Sequence, residues 1–339
     1  MKKAAQNILH KLLRLARRHP GLAWMLEEDA LQHLQLTPDM LDGKDWVAVD
    51  KFYTYTRERL ARDPVWRYGP LRVAEVAHEA FNGLSLAVSV PGRAYVDLGC
   101  GCHHPFGTST VMYLNGATET LALDITPFKP VRAAQALFDL LADALVAPAR
   151  WNWAGLPLDE FRNRIFSFDL DALRDGRMDE GLRSLPLRHR LTNVTEPLPQ
   201  NAKFDLMSSR AVLEHFPDFP AAARQMFNML NPGGVATHHI DLVDHRVYTV
   251  AGTTSATSPY HFWSFLAEDE TWSDGNTNRL RSAELRAEFE KAGFKIVNWR
   301  GDKLPLPDGF RARLKGRFAA MPDSELEITT VYCTVQRPA

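Results

Sequence analysis

A glycine-rich turn follows a short apolar run in the first third of the chain. The run Ala94–Leu98 leads into Gly99-Cys100-Gly101, and a predicted helix begins near Gly107. Glycines between a strand and a helix let the backbone come close to a ligand. A dinucleotide-binding turn would have its third glycine at the position of His104. The turn therefore predicts a ligand site but argues against a pyrophosphate, which needs close approach to the helix N-terminus.

The densest polar cluster of the sequence runs from His238 to Arg246. It leaves the carboxyl end of a predicted strand, Val235–Asp241, and ligands of open α/β sheets bind outside those ends. On a strand, His239 and Asp241 share one face, whereas His238 shares the opposite face with Ile240.

This cluster predicts general-base chemistry. The base is His239 or His245, and Asp241 or Asp244 orients its imidazole ring. The alternative is a hydrogen-bonded structural cluster at the end of a strand.

The elements that position these groups follow a parallel α/β pattern. After Pro91-Gly92, short apolar runs alternate with segments of helical periodicity. The predicted strands are Ala94–Leu98, Thr120–Leu123, His189–Val194, Phe204–Ser208, Val235–Asp241, Lys295–Trp299 and Glu325–Gln336. Two insertions, about 149–187 and 242–279, interrupt the alternation. We expect one domain over 93–339, with the insertions helical.

Residues 1–92 have helical periodicity and predict an N-terminal helical cap or lid. Basic residues and leucines alternate over its first 18 residues. Such a segment suits a membrane-surface or transit helix, or the first helix of a soluble cap. We favour the cap, because the segment lacks the continuous apolar stretch of a signal peptide or a membrane span.

Composition narrows the class of partner. The chain has 339 residues, a net charge of -1 and 45% hydrophobic residues. No global field favours nucleic acid or a membrane surface. Three cysteines do not suggest a disulfide framework, and they fit a reducing compartment. We expect a cytoplasmic protein with a small-molecule substrate and no nucleic-acid or membrane partner, and a homodimer stays open.

Taken in order, the motifs resemble those of the class I S-adenosylmethionine-dependent methyltransferases. The matching segments are Val96–Gly101 (first motif), Asp124 (acid after the second strand), Thr192–Pro199 (adenine segment), Phe204–Ser209 with Val212–His215 (fourth-strand motif) and Asn231–Gly234 (turn before the fifth strand). The resemblance implies a Rossmann-like, mixed seven-stranded sheet with helices on both faces. It also implies that S-adenosylmethionine is the cofactor.

The resemblance assigns roles to single residues as well. Asp124 is expected to accept hydrogen bonds from both ribose hydroxyls. Asn193 stands where the family usually has an aspartate, and its amide oxygen can accept from the adenine amino group. The expected cofactor-binding residues are Asp97, Gly99, Gly101, His103, Asp124, Ile125, Asn193, Val194 and Ser209.

Two clusters could suggest a metal. Cys100, Cys102, His103 and His104 are soft ligands, but a second pair at zinc-finger spacing is absent from the sequence. The second cluster, Glu214-His215, is similar to a Glu-x-x-Glu-His metal site of some methyltransferases, but the first glutamate is missing, since Ala211 stands at its position and Arg210 directly precedes it. We therefore predict no metal and place His215 beside the substrate.

The sequence favours methyl transfer to a hydroxyl or amine of a small molecule. The segments Ile240–His245 and Asn278–Arg281 resemble sugar methyltransferases, so natural-product or saccharide intermediates are the expected acceptors. One alternative is a cyclase that attacks the aminobutyryl chain of S-adenosylmethionine and releases methylthioadenosine, for example forming azetidine-2-carboxylate. Another is a non-catalytic partner subunit, against which the intact glycine turn and Asp124 argue.

Overall fold

The computed structural model describes residues 69–193, 203–249, 260–269 and 277–339. The predicted basic N-terminal helix, most of the predicted cap and Val194 lie outside these ranges. In the described part of the chain, no helix is both long and apolar enough to cross a bilayer.

Strands and helices alternate after an initial helix. The strands are β1 (Ala94–Leu98), β2 (Glu119–Asp124), β3 (Leu187–Leu191), β4 (Phe204–Arg210), β5 (Leu230–Asp241), β6 (Lys295–Lys303) and β7 (Ile328–Gln336). The helices are α1 (Pro70–Ser85), α2 (Gly107–Leu114), α3 (Pro130–Val146), α4 (Leu158–Phe166), α5 (Leu170–Arg174), α6 (Met178–Gly181), α7 (Phe219–Met229), α8 (Arg246–Thr249), α9 (Ser282–Lys291), α10 (Gly316–Ala320) and α11 (Asp323–Leu326). Short 3-10 turns cover Pro148–Arg150, Leu213–His215, Ser264–Ala267 and Phe310–Arg313.

The strands form one seven-stranded sheet in the order β3-β2-β1-β4-β5-β7-β6. The first five run parallel, and β7 pairs antiparallel with both β5 and β6. The predicted mixed α/β sheet is confirmed. The third strand lies earlier than expected, at Leu187–Leu191, because its pairing with β2 ends where Leu191 meets Asp124. The fifth strand is longer, since Leu230 already pairs with Phe204 across an irregularity in the register.

Helices cover both faces of the sheet, as predicted. The side chains of Ala94 and Val96 belong to a core with α7 and α9, whereas Tyr95 between them packs with α1 on the opposite face. This alternation follows from the two-residue period of a strand. The insertion 149–187 is helical, and its α4–α6 pack with α3 in a third cluster on the α1 face.

Helix α1 lies in backbone contact with the sheet at Gly83. A Cβ atom at this position would lie 2.1 Å from Thr237 Oγ1 in β5 and 2.9 Å from Thr237 Cβ. The hydroxyl of Thr334 in β7 donates to the carbonyl oxygen of Gly83 at 3.1 Å. The absence of a side chain at Gly83 therefore sets how closely α1 approaches β5 and β7.

We expect the effect of Gly83→Ala on stability to change sign with the residue at 237. In the native background the added methyl collides with Thr237, and such overpacking lowers the free energy of unfolding by roughly 1–3 kcal/mol. In a Thr237→Gly background the same methyl fills space, and the higher helix propensity of alanine raises that free energy by up to about 1 kcal/mol. Urea denaturation of the four proteins measures both changes. Equal effects of Gly83→Ala in the two backgrounds would contradict the contact.

Candidate functional site

A cavity of about 490 Å³ opens at the carboxyl ends of β1, β4 and β5. Helix α1 forms one wall, and the glycine turn after β1 also lines the cavity. The residues used below that line it are Arg72, Glu79, Asp97, Gly99, Cys100, Gly101, His103, His104, Thr108, Ser209, Arg210, His239, Arg300 and Tyr332. Three of the predicted groups thus meet in one place: the glycine turn, the end of β4 and His239 of β5.

The two glycines of the turn have different roles. Both adopt positive φ angles, 67° at Gly99 and 76° at Gly101. A Cβ on Gly99 would lie 2.2 Å from Cγ2 of Val212, so this glycine is required by packing against the segment after β4. A Cβ on Gly101 would meet nothing within 4 Å. Gly101 is therefore the position at which the backbone can approach a ligand in the cavity.

Asp124 braces the same turn. Its Oδ2 accepts a hydrogen bond from the Gly101 amide at 2.7 Å, and its Oδ1 accepts one from the Thr126 amide at 2.7 Å. Each carboxylate oxygen has a further lone pair with which it can accept from a hydroxyl. The predicted partner of ribose thus also holds the loop that the ligand would contact.

The end of β3 lies beside Asp124. The amide of Thr192 donates to the Asp124 carbonyl oxygen at 2.9 Å, which brings Asn193 to this edge of the sheet. Ile125 directly follows Asp124 and is 74% exposed. These two residues form a rim next to Asp124, outside the cavity described above.

Asp97 is buried at the end of β1. Burial, and next the negative charge of Asp124, raise its pKa to about 7, although a hydrogen bond from Thr108 favours ionisation. A cation that enters the cavity would stabilise the ionised carboxylate. Asp97 is thus suited to a ligand with an ammonium group. In the same turn, burial raises the pKa of the Cys100 thiol, so it stays protonated at neutral pH.

His239 is held by a residue that the sequence did not indicate. Its Nδ1 lies 2.6 Å from Oε1 of Glu79 in α1, and its ring meets Tyr332 edge-on with centroids 4.6 Å apart. Burial alone would raise the Glu79 pKa, but His239 and then Arg210, whose Nη1 lies 3.6 Å from Oε2, lower it overall. Glu79 is therefore ionised and fixes the imidazole.

For His239, neither Asp241 nor Asp244 is the orienting acid, whereas another predicted combination, Asp241 beside His245, occurs in the structure. Asp244 is paired with Arg246, with 2.6 Å between Oδ2 and Nη2. Asp241 lies beside His245, with 3.6 Å between Oδ2 and Nε2. Glu79 is 160 residues from His239 in sequence. The only feature of the sequence that could have pointed to Glu79 is its position one helical turn before Gly83. That position becomes informative only once α1 is known to pack on β5.

The other histidine of β5, His238, is structural. It faces away from His239, as strand alternation predicts, and stacks on Phe289 with centroids 5.5 Å apart. Its Nδ1 lies 2.7 Å from the hydroxyl of Ser209, a residue that lines the cavity. Burial lowers the pKa of His238 to about 3, so the ring is neutral at physiological pH.

His215 and His245 meet in a second group, which does not line the described cavity. Their rings pack edge to face with centroids 4.9 Å apart. The carboxyl group of Glu214 lies beside them and is buried, and burial raises its pKa to about 8. The structure therefore separates His239 from His245, which the sequence had treated as alternative positions for one base.

The comparisons with known proteins agree with this architecture. A family model for a methyltransferase domain matches residues 65–298, more than half of the chain. No curated protein matches the sequence.

Several solved structures are similar at low identity. An S-adenosylmethionine-dependent methyltransferase from Mesorhizobium loti is 18% identical with a TM-score of 0.40, over 76% of this chain and 98% of that chain. The N-methyltransferase NodS from Bradyrhizobium japonicum, in complex with S-adenosylhomocysteine, is 12% identical with a TM-score of 0.38, over 83% and 91%. The cyclase SpnF is 14% identical with a TM-score of 0.43, over 78% and 81%.

The chain belongs to the methyltransferase-domain family and is a class I S-adenosylmethionine-dependent methyltransferase. Its cofactor is S-adenosylmethionine. The expectation of an enzyme on a Rossmann-like sheet is thereby confirmed.

We expect Gly101→Ala to weaken cofactor binding specifically, with Gly92→Ala as its matched control. Gly92 has a φ of 80° and equally open surroundings, but it lies in the turn before β1, at the opposite end of that strand. Both substitutions carry a backbone strain of roughly 1–2 kcal/mol. Only the methyl group added by Gly101→Ala would occupy ligand space. The Kd of that variant for S-adenosylmethionine should therefore rise about tenfold or more. Calorimetric titration measures this, and equal Kd values for both variants would contradict the assignment.

Proposed function

We propose that this methyltransferase acts on a hydroxyl or amine of a small molecule, such as a natural-product or saccharide intermediate, with His239 as general base. The observation that carries the proposal is the Glu79–His239 pair in the same cavity as the glycine turn. Donation from Nδ1–H to Glu79 selects the tautomer whose lone pair is on Nε2. A base with a defined tautomer at the end of β5 can accept the proton of an incoming nucleophile.

The residues present fit the cofactor. Gly101 leaves room for close approach, and the buried Asp97 is suited to the ammonium group of the cofactor's amino-acid part. When bound, S-adenosylmethionine supplies a methyl group on a positively charged sulfur. The proposed contacts are Asp97, Gly99, Gly101, His103 and Ser209 for the amino-acid part, Asp124 for the ribose, and Ile125, Asn193 and Val194 for the adenine.

The size and walls of the cavity support a small acceptor. Its volume of about 490 Å³ is in the range of small-molecule sites. Arg72, Arg300 and Tyr332 line it and offer hydrogen bonds to a polar acceptor. We propose that residues 1–92 act as a cap over the domain 93–339. In support, α1, the described part of that segment, forms one wall.

Product analysis tests the reaction. The purified chain is incubated with S-adenosylmethionine, with and without a panel of free sugars and primary amines, and products are identified by mass spectrometry. Acceptor-dependent S-adenosylhomocysteine and a methylated acceptor are the expected result. Methylthioadenosine without any acceptor would replace the proposal by cyclisation of the cofactor. If no acceptor in the panel leads to formation of S-adenosylhomocysteine, the small-molecule assignment is overturned.

Once an acceptor is found, His239→Gln should lower kcat by a factor of about 100 or more, because proton removal loses its base. Binding of S-adenosylmethionine should be unchanged. Glu79→Gln should lower kcat less and shift its pH profile, because the amide no longer holds the imidazole as a carboxylate does. The control is His78→Gln, which replaces an exposed histidine on the same helix as Glu79. Near wild-type kcat in His239→Gln would eliminate His239 as the base.

A further inference from the structure

We propose that Glu214, His215 and His245 bind one divalent transition-metal ion. A ligand atom from each of the three side chains lies within 4.8 Å of the other two. Two of the residues are neighbours in the 3-10 turn after β4, and the third follows β5. Binding of this ion is independent of the proposed function, because it needs neither cofactor nor acceptor.

The spacing of the ligand atoms is close to that of a metal site. Metal–ligand bonds of about 2.0–2.2 Å put donor atoms roughly 3–4 Å apart. Nε2 of His215 lies 4.0 Å from Oε1 of Glu214. The site closes if the imidazole rings turn inward by about 1 Å, and His215, whose side chain is 42% exposed, has room to do so.

Glu214 provides the strongest indication of a ligand. Its side chain is 2% exposed, and its carboxyl oxygens have no side-chain hydrogen-bond donor among the described residues, with only the backbone amides of Glu214 and Asp241 directed at them. Buried carboxyl oxygens are normally satisfied by hydrogen bonds, ion pairs or a metal. A metal ion between Glu214 and the two imidazoles would satisfy this group.

The backbone around the cluster is fixed. The Asn278 amide donates to the Glu214 carbonyl oxygen at 2.7 Å. The Asn278 side-chain amide donates to the carbonyl oxygens of Leu213 and Phe216 at 2.9 and 3.1 Å. These bonds brace both sides of the turn that carries Glu214 and His215. Asn278 thus supports the turn that carries two of the proposed ligands.

Asp241 is a positioning residue for the third ligand. Its Oδ2 lies 3.6 Å from Nε2 of His245. A carboxylate beside a ligating histidine is the usual outer partner, which orients the ring and raises its basicity. A small rotation of His245 would place one ring nitrogen on the metal and the other toward Asp241.

Ala211 occupies the position of the first glutamate in the Glu-x-x-Glu-His pattern, and the charged residue directly before it, Arg210, does not oppose the site. Its guanidinium lies 3.6 Å from Glu79 and lines the cavity. The third ligand comes instead from His245, 30 positions after His215. Two imidazoles and one carboxylate suit Mn²⁺, Fe²⁺, Co²⁺ or Zn²⁺ better than Mg²⁺ or Ca²⁺, which prefer oxygen ligands.

Cobalt is the probe of choice, because its visible spectrum reports the ligands directly. The tag-free, EDTA-treated full chain is titrated with Co²⁺, and we expect one ion per chain. Glu214→Gln and His245→Gln should each raise the Kd by about 100-fold or more, and Asp241→Asn by about 10-fold to 100-fold. His261→Gln and His239→Gln should leave the Kd unchanged. Circular dichroism checks that each variant is folded. Failure to bind, or Kd values unaffected by Glu214→Gln and His245→Gln, would overturn the proposal.

A second measurement uses the native chain. Diethylpyrocarbonate modifies exposed histidines, and mass spectrometry locates the products. Saturating Co²⁺ should protect His215 while His78 continues to react. An unchanged rate at His215 would overturn the proposal even if a variant failed to fold. Because neither measurement involves turnover, a failed acceptor screen and a failed metal titration would be distinguishable.

Discussion

The contact between α1 and β5 at Gly83 is the constraint on which the described cavity depends. With no side chain at Gly83, the helix rests against Thr237 and accepts a hydrogen bond from Thr334. One helical turn earlier on α1, Glu79 reaches His239. If the helix stood further from the sheet, the cavity would lose a wall and the imidazole would lose its partner.

At the glycine turn, Asp124 has two roles. Asp124, the acid expected to bind the ribose, accepts a hydrogen bond from the Gly101 amide. It therefore also holds the loop in its positive-φ conformation. Asp97 lies close enough for the negative charge of Asp124 to raise its pKa, after the larger effect of burial. A positively charged ligand near this turn would stabilise the ionised form of Asp97, and the ligand group proposed for it is the ammonium group of the cofactor.

The polar residues around the end of β5 divide between two neighbouring sites. His239 turns to α1 and the cavity, whereas His245 turns to the segment after β4 and meets His215. The ring of His238 packs in the core against Phe289 and pairs with the hydroxyl of Ser209, which lines the cavity. A dense run of histidines and aspartates in sequence thus occupies three separate environments in space.

The sequence by itself determined the alternation of strands and helices, the glycine turn and the acid after β2, because strand alternation, helical period and turn residues are local properties of the chain. The mixed direction of the sheet was implied only by the resemblance to a known family. The sequence also determined the family, since those motifs occur in order along the chain. Only the tertiary structure decided that Glu79 is the partner of His239, that Gly99 serves packing while Gly101 faces the cavity, and that His245 joins Glu214 and His215. These pairings join residues far apart in the chain, and they depend on how closely helices and loops pack on the sheet, which no local pattern records.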